Sequence, residues 1–135
     1  MNKDCLFCKI ASGETPCKKI YEDENVLAFL DIFPHAKGHT VIIPKKHFSE
    51  VSEMSAEDWQ KLAVGLAAAA KRVEAALKPE GMNIGANDRP AAGQVVPHVH
   101  WHIFPRWKND GGGSFHSIIK TAEKFDLDEI AALFK

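Results

Sequence analysis

Residues 97–106 read Pro-His-Val-His-Trp-His-Ile-Phe-Pro-Arg, with imidazoles at 98, 100 and 102 and apolar side chains at 99, 101 and 103. On a helix these side chains would scatter around the axis. On a strand successive side chains point to opposite faces, so His98, His100 and His102 share one face and Val99, Trp101 and Ile103 the other. Residues 96–104 are therefore expected to form a strand whose apolar face needs a cover. The chain supplies one long helix, "SAEDWQKLAVGLAAAAKRVEAALKPEG" at 55–81. Ser55 suits the N-cap, with Asp58 three residues on as the capping-box acid. Trp59, Leu62, Leu66, Val73 and Leu77 make its buried stripe, and Pro79 and Gly81 stop it. Residues 18–32 read as two short strands around a polar turn at Glu22–Asn25. Val26, Ala28 and Leu30 fall on one face there, and Leu27, Phe29 and Asp31 on the other. Residues 39–44 are a β-branched strand ended by Pro44, and 82–88 a strand running into a loop. Residues 34–40 and 89–94 are loops, 108–114 a mobile Gly-rich stretch, and 126–135 a short amphipathic helix. Four or five strands with one long helix and no βαβ alternation predict an antiparallel α+β fold.

At 135 residues the chain is within the range of one domain and can bury a core without staples. Its formal net charge of −1 implies no broad basic face, so bulk binding to nucleic acid or anionic lipid gains no support. The longest nearly apolar run, residues 62–70, is far short of a membrane span. Residues 1–14 lack the apolar core of an export signal, and a cytoplasmic location is the expectation. Three cysteines are too few, and of the wrong parity, for a disulfide framework. Cys5 and Cys8 form a C-x-x-C, which in a reducing compartment suggests redox or metal chemistry. A redox pair ordinarily follows a strand and places its first thiol at a helix N-terminus, yet only four residues precede Cys5. Half a zinc site is the other reading, and it needs two more ligands.

A buried sheet face explains Val99, Trp101 and Ile103, whereas nothing structural explains three imidazoles in register. As one metal site they fit poorly. Alternate strand positions spread three residues over about 13 Å, and ligand bonds are only about 2 Å. As a catalytic row along a phosphate they fit well. A neutral imidazole is a nucleophile near pH 7, and imidazole donors stabilise anionic oxygens. Gly93-Gln94 lies just upstream, where a loop can offer backbone N–H groups to an anion. His39 opens a neighbouring strand and is a candidate fourth imidazole.

The segment His98-Val-His-Trp-His-Ile-Phe104 resembles the signature of the histidine triad (HIT) family. Residues 4–34, "DCLFCKIASGETPCKKIYEDENVLAFLDIFP", and 38–47, "GHTVIIPKKH", are similar to the amino-terminal half of the same family. The resemblance spans residues 4–106 of a single 1–135 domain, and 107–135 is a variable tail with a short helix. It implies the HIT fold: an antiparallel sheet of about five strands, one long helix and short terminal helices, paired as a homodimer. It also implies a nucleotide hydrolase or transferase acting at a nucleoside α-phosphate. His100 would be the nucleophile, forming a covalent nucleotidyl-imidazole. His102 would contact the phosphate and assist the leaving group, and His39 would support it. The His98 carbonyl would hold His100 Nδ1–H. No catalytic metal is required.

The same resemblance implies a purine nucleotide pocket. Leu6, Phe7, Ile10, Phe29 and Ile32 match the base slot, although on the residues alone they read simply as core. Asp31 matches the acid that binds the ribose hydroxyls. Asn87, Gly93 and Gln94 match phosphate-contacting positions. Val95 departs from relatives that carry a hydroxyl there, so leaving-group preference is open. Cys5, Cys8, His47 and His98 match a closed Cys₂His₂ structural zinc site. His35 and His116 read as surface residues. Substrates implied are purine dinucleoside polyphosphates or nucleoside phosphoramidates, with AMP or GMP released. Val95 and Arg106 favour polyphosphates, Arg106 as a contact for extra phosphates. The competing reading is a nucleotide-binding or adaptor protein with little turnover, and a third is a zinc enzyme using the triad directly.

Overall fold

The apolar face of the histidine strand has its cover. The computed structural model describes residues 2–134. Met1 and Lys135, the ends of the expected domain and tail, lie outside the described residues. Five strands, β1 (Lys19–Glu22), β2 (Val26–Leu30), β3 (Thr40–Pro44), β4 (Gly81–Ala86) and β5 (Trp101–Arg106), form one sheet in the order β1-β2-β3-β5-β4. Every neighbouring pair is antiparallel. Helix α1 (Leu6–Ala11) precedes the sheet, α2 (Ala56–Leu77) is the long helix, and α3 (Leu127–Ala131) lies in the tail. Among the described residues no helix is long and apolar enough to cross a membrane.

Register sorts the side chains. Partners in an antiparallel ladder share a face, and β5 pairs Ile103 with Thr40 of β3 and Ile84 of β4. Val26, Ala28, Ile42, Val99 and Ile103 pack with Leu62, Ala69 and Val73 of α2. Leu27, Phe29, Val41 and Ile43 point the other way, where α1 covers them with Cys5, Phe7, Cys8 and Ile10. The sheet is thus covered wholly on one face and only partly on the other.

β5 begins at Trp101, five residues later than the period-2 pattern predicts. Pro97 has no N–H to give a ladder, His98 N–H turns back to Val96 O, and Val99 N–H donates to Phe48 O rather than to a sheet partner. The alternation survives without the ladder. Val99 is buried in the α2 core, while His98 and His100 stand edge-on to Phe7 of α1 at 5.9 and 5.0 Å between ring centroids.

In α2 the expected capping box is present: Ser55 Oγ accepts from Asp58 N–H at 3.1 Å, and Asp58 Oδ2 accepts from Ser55 N–H at 3.0 Å. Lys78 caps the other end in the left-handed region at φ 50°, and Pro79 after it cannot continue the helix. Gly81 does not stop the helix; it opens β4. Gly65 takes a central place in the buried stripe, and Trp59 moves to its margin, edge-on to Trp101 at 5.1 Å. A Cβ on Gly65 would meet Val26 Cγ1 at 2.5 Å, so this glycine sets how closely α2 lies on β2.

The stretch 108–114, expected to be mobile, is anchored. Arg106 donates to both carboxylate oxygens of Asp110, at 2.7 and 2.8 Å, and to Asn83 Oδ1 and Gly113 O. A guanidinium engaged on four acceptors is a clamp for this turn, and the basis for giving Arg106 extra phosphates falls away.

Candidate active site

The partly covered face of the sheet is an open cleft of about 1230 Å³. Its floor is β5, its wall over β2 and β3 is α1, and its far wall over β4 is the segment after the Arg106 clamp. His39, His100 and His102 all line it. His98 does not. It is fully buried beneath the cleft, and only its carbonyl serves the row.

Partners settle which nitrogen of each ring carries the proton. His100 Nδ1–H donates to His98 O at 2.7 Å, leaving Nε2 with the lone pair. His35 backbone N–H donates to His39 Nδ1 at 3.2 Å, so His39 is protonated on Nε2. That Nε2–H donates to His102 Nδ1 at 2.8 Å, so His102 carries its proton on Nε2. The row therefore pairs a lone-pair nitrogen on His100 with an N–H donor on His102, with ring centroids 4.9 Å apart. Burial lowers the pKa of all of these rings below the ordinary imidazole value. His102 falls to about 4, through burial first and then the neighbouring His100 and His39. Neutral imidazoles at pH 7 are the state in which this donor–acceptor pattern holds.

Asp31 ends the row. Its Oδ1 accepts from Phe33 N–H at 2.8 Å and its Oδ2 lies 3.6 Å from His39 Nε2. Asp31, His39 and His102 are near enough to be weighed as metal ligands. The 2.8 Å between His39 Nε2 and His102 Nδ1 is a hydrogen bond, however, and shorter than the roughly 3.4 Å separating two nitrogens on one tetrahedral zinc.

A second cluster lies under the row. Cys5 Sγ is 3.4 Å from His98 Nδ1, Cys8 Sγ is 3.6 Å from the same atom and 3.3 Å from His47 Nδ1, and the two Nδ1 atoms are 3.2 Å apart. A tetrahedron with bonds of about 2.0–2.1 Å to nitrogen and about 2.3 Å to sulfur has N···N edges of about 3.4 Å and N···S edges of about 3.6 Å. These four edges match a tetrahedral metal site to within a few tenths of an ångström, and with all four ligand atoms within 4.8 Å of one another the cluster could hold an ion. His98 Nε2–H donates to Pro44 O at 2.8 Å, which fixes the tautomer with Nδ1 turned to the thiols. Cys5 caps α1 and its sulfur accepts Cys8 N–H at 3.4 Å. One mark of a redox pair is therefore present. Burial pushes the Cys5 thiol up, the opposite of a reactive thiolate.

Leu6, Phe7, Ile10, Phe29, Asp31 and Ile32 line the α1 end of the cleft, and Asn87, Gly93 and Val95 line its rim. Gln94 is not among the lining residues. Its side-chain oxygen accepts Arg89 N–H at 2.6 Å and its amide donates to Ser49 O and Val96 O, which staples the 89–96 loop. His35 and His116 are exposed, as expected. Yet the His35 backbone N–H orients His39, a role carried by no side chain and so invisible in composition. Val41, Val96, Phe104 and Phe115 also line the cleft. Val41 and Phe104 follow from strand alternation once the register is known. Phe115 had no sequence signal.

The HIT domain family model matches residues 12–109. An uncharacterised HIT-like protein of Methanocaldococcus jannaschii is 45% identical over 130 residues, covering 93% of this chain and 95% of its own. Adenosine 5'-monophosphoramidase of Schizosaccharomyces pombe is 41% identical over 108 residues, covering 80% of this chain and 78% of its own. The crystal structure of a HIT family member from Bacillus subtilis superposes with a TM-score of 0.85 at 38% identity, covering 98% of this chain and 93% of that one.

Proposed function

The chain belongs to the HIT domain family, and from that premise we propose that it hydrolyses purine nucleotides at the α-phosphate through a covalent nucleotidyl-His100. The observation that carries this reading is the His100 ring, with Nδ1–H held on His98 O and Nε2 left as the lone-pair nitrogen of a ring that lines the cleft. Nε2 attacks phosphorus, forming the N–P bond as the bond to the leaving group breaks, and the departing group takes up a proton from solvent that the attacking water of the second step returns. The adduct is an imidazolium, and the His98 carbonyl receives the growing positive charge on Nδ1–H. Water then attacks phosphorus, the N–P bond breaks, and His100 returns as a neutral imidazole with release of AMP or GMP. His102 Nε2–H donates a hydrogen bond to oxygen or nitrogen at phosphorus. His39 holds His102 in the tautomer that makes this possible. Splitting one displacement into two is the gain from a covalent intermediate.

The base belongs at the α1 end of the cleft, against Leu6, Phe7, Ile10, Phe29 and Ile32, with Asp31 accepting from the ribose hydroxyls and Asn87, Gly93 and Val95 beside the phosphate. Among leaving groups, phosphoramidates gain support from the Schizosaccharomyces relative, which is an adenosine 5'-monophosphoramidase. The polyphosphate alternative rested on Val95, which lines the cleft rim, and on Arg106, which is engaged on Asp110, Asn83 and Gly113. Cys5, Cys8, His47 and His98 hold a structural zinc ion in this reading. Such an ion, when bound, supplies a rigid tie between α1 and the segment before β5 and no step of the reaction. A homodimer belongs to the reading as well. Ile118, Ile119, Leu127, Leu133 and Phe134 are all more than 60% exposed, a load of apolar surface that a second copy would cover. Light scattering at twice the chain mass is the expected result.

The test is intact mass spectrometry of wild type and His100→Ala, quenched within the first turnover of an adenosine phosphoramidate. An AMP-sized adduct on wild type, absent from the variant, is expected. Turnover at wild-type rate by His100→Ala would refute the mechanism.

A further inference from the structure

We propose that Phe115 forms an apolar platform for the leaving group, so that the chain prefers nucleotides whose leaving group carries a planar aromatic body. The inference rests on the hydrolase reading above and extends it. Gly85 of β4 pairs directly with His102 of β5. Ladder partners share a face, so a side chain at 85 would stand beside His102 in the cleft. Gly85 has none, and the ring of Phe115 occupies that space. A Cβ built on Gly85 would lie 2.3 Å from Phe115 Cζ and 2.9 Å from Cε1. The ring thus lies on the sheet one strand, about 4.8 Å, across from His102.

Its position is built rather than incidental. The Arg106 clamp on Asp110 and Gly113 fixes the turn before it. Ser114 Oγ then accepts His116 N–H at 3.3 Å and caps the short 3₁₀ turn Phe115–Ser117. Phe115 remains about half exposed, at 52%, and its free surface faces the cleft. Phe7 and Phe29 stand at the other end of the cleft, over β2 and β3. With the nucleoside there and phosphorus at His100, the group that departs past His102 is directed toward β4 and Phe115. Phe115 lies beyond residues 12–109, the span that the HIT domain family model matches.

The experiment compares wild type, Phe115→Ala and Gly85→Ala. Each is given two adenosine 5'-phosphoramidates, one releasing ammonia and one releasing an arylalkyl amine, and the matching phosphonate isosteres in which CH₂ replaces the bridging nitrogen. Phe115→Ala removes the platform, and Gly85→Ala keeps the ring but displaces it. For both variants kcat/KM for the aryl substrate is expected to fall about tenfold, equivalent to ~1.4 kcal/mol, while that for the ammonia substrate changes less than twofold. Calorimetric Kd values for the two isosteres are expected to divide in the same way, with AMP affinity unchanged. Equal losses on both substrates, or none, would overturn the proposal and leave the hydrolase reading in place. If wild type cleaves neither substrate but the aryl isostere alone loses affinity in both variants, the hydrolase reading fails and the platform stands.

Discussion

His102→Asn is expected to remove a defined share of the protein's acid sensitivity. Burial, reinforced by His100 and His39, lowers His102 from 6.5 to about 4 in the fold. In the unfolded chain the same ring takes up its proton near 6.5. Between pH 6.5 and about 4 the unfolded state therefore binds more protons, and stability rises with pH across that window. The contribution is fully present above 6.5 and is lost as the pH falls toward 4. One pKa unit is worth about 1.4 kcal/mol, so the fall from 6.5 to about 4 corresponds to about 3 kcal/mol, or roughly 2 kcal/mol after discounting for the part of the ring that solvent reaches. That is a large fraction of the 5–15 kcal/mol typical of a domain. Urea unfolding followed by tryptophan fluorescence at pH 7 and pH 4 measures it, with His116→Asn as an exposed control. The control is expected to retain the wild-type difference in unfolding free energy between the two pH values. His102→Asn is expected to reduce that difference by about 2 kcal/mol. If it shows the full wild-type difference, the reasoning from burial is wrong.

Three further outcomes follow from the same geometry. Chelation of zinc-loaded protein is expected to lower its unfolding temperature and to release one equivalent of metal to a reporter dye, and Cys8→Ala to have the same thermal effect; a chelator that leaves the melting curve unmoved would argue against the Cys₂His₂ site. Gly65→Ala would gain about 1 kcal/mol on helix propensity alone, but its Cβ would meet three Val26 side-chain atoms at 2.5–2.8 Å. Overpacking of about 1–3 kcal/mol is expected to reverse the sign, and a stabilised variant would show that β2 yields freely. Arg106→Ala and Asp110→Ala are expected to speed limited proteolysis after residue 107 to the same extent without weakening AMP binding. A variant of Arg106 alone that loses nucleotide affinity would return that residue to the phosphates.

Much of the fold was legible because period and capping are local properties. Alternation in 26–31 and 98–103 sorted the two faces correctly, and Ser55 with Asp58 marked the start of α2. The misreadings share one cause. The start of β5, the fate of Gly81 and the order of 108–114 depend on hydrogen bonds to distant residues: Phe48 for Val99, the β5 ladder for Gly81, Asn83 for Arg106. The setting of Gln94 is likewise decided at a distance, its amide donating to Ser49 O and Val96 O.

By itself the sequence determined that three imidazoles share a strand face, that an apolar face opposes them, and that two thiols stand three residues apart. These follow from backbone geometry over a few residues. Tertiary structure alone decided what the imidazoles do. It separates His98 from the row by burying it among Cys5, Cys8 and His47, and leaves its carbonyl to hold His100. It assigns a proton to each remaining ring through one partner apiece, the nearest in sequence the His98 carbonyl against His100 and the farthest His39 against His102. A ring's tautomer is set by whatever atom lies about 3 Å from each nitrogen, and for His102 that atom is 63 residues away in the chain.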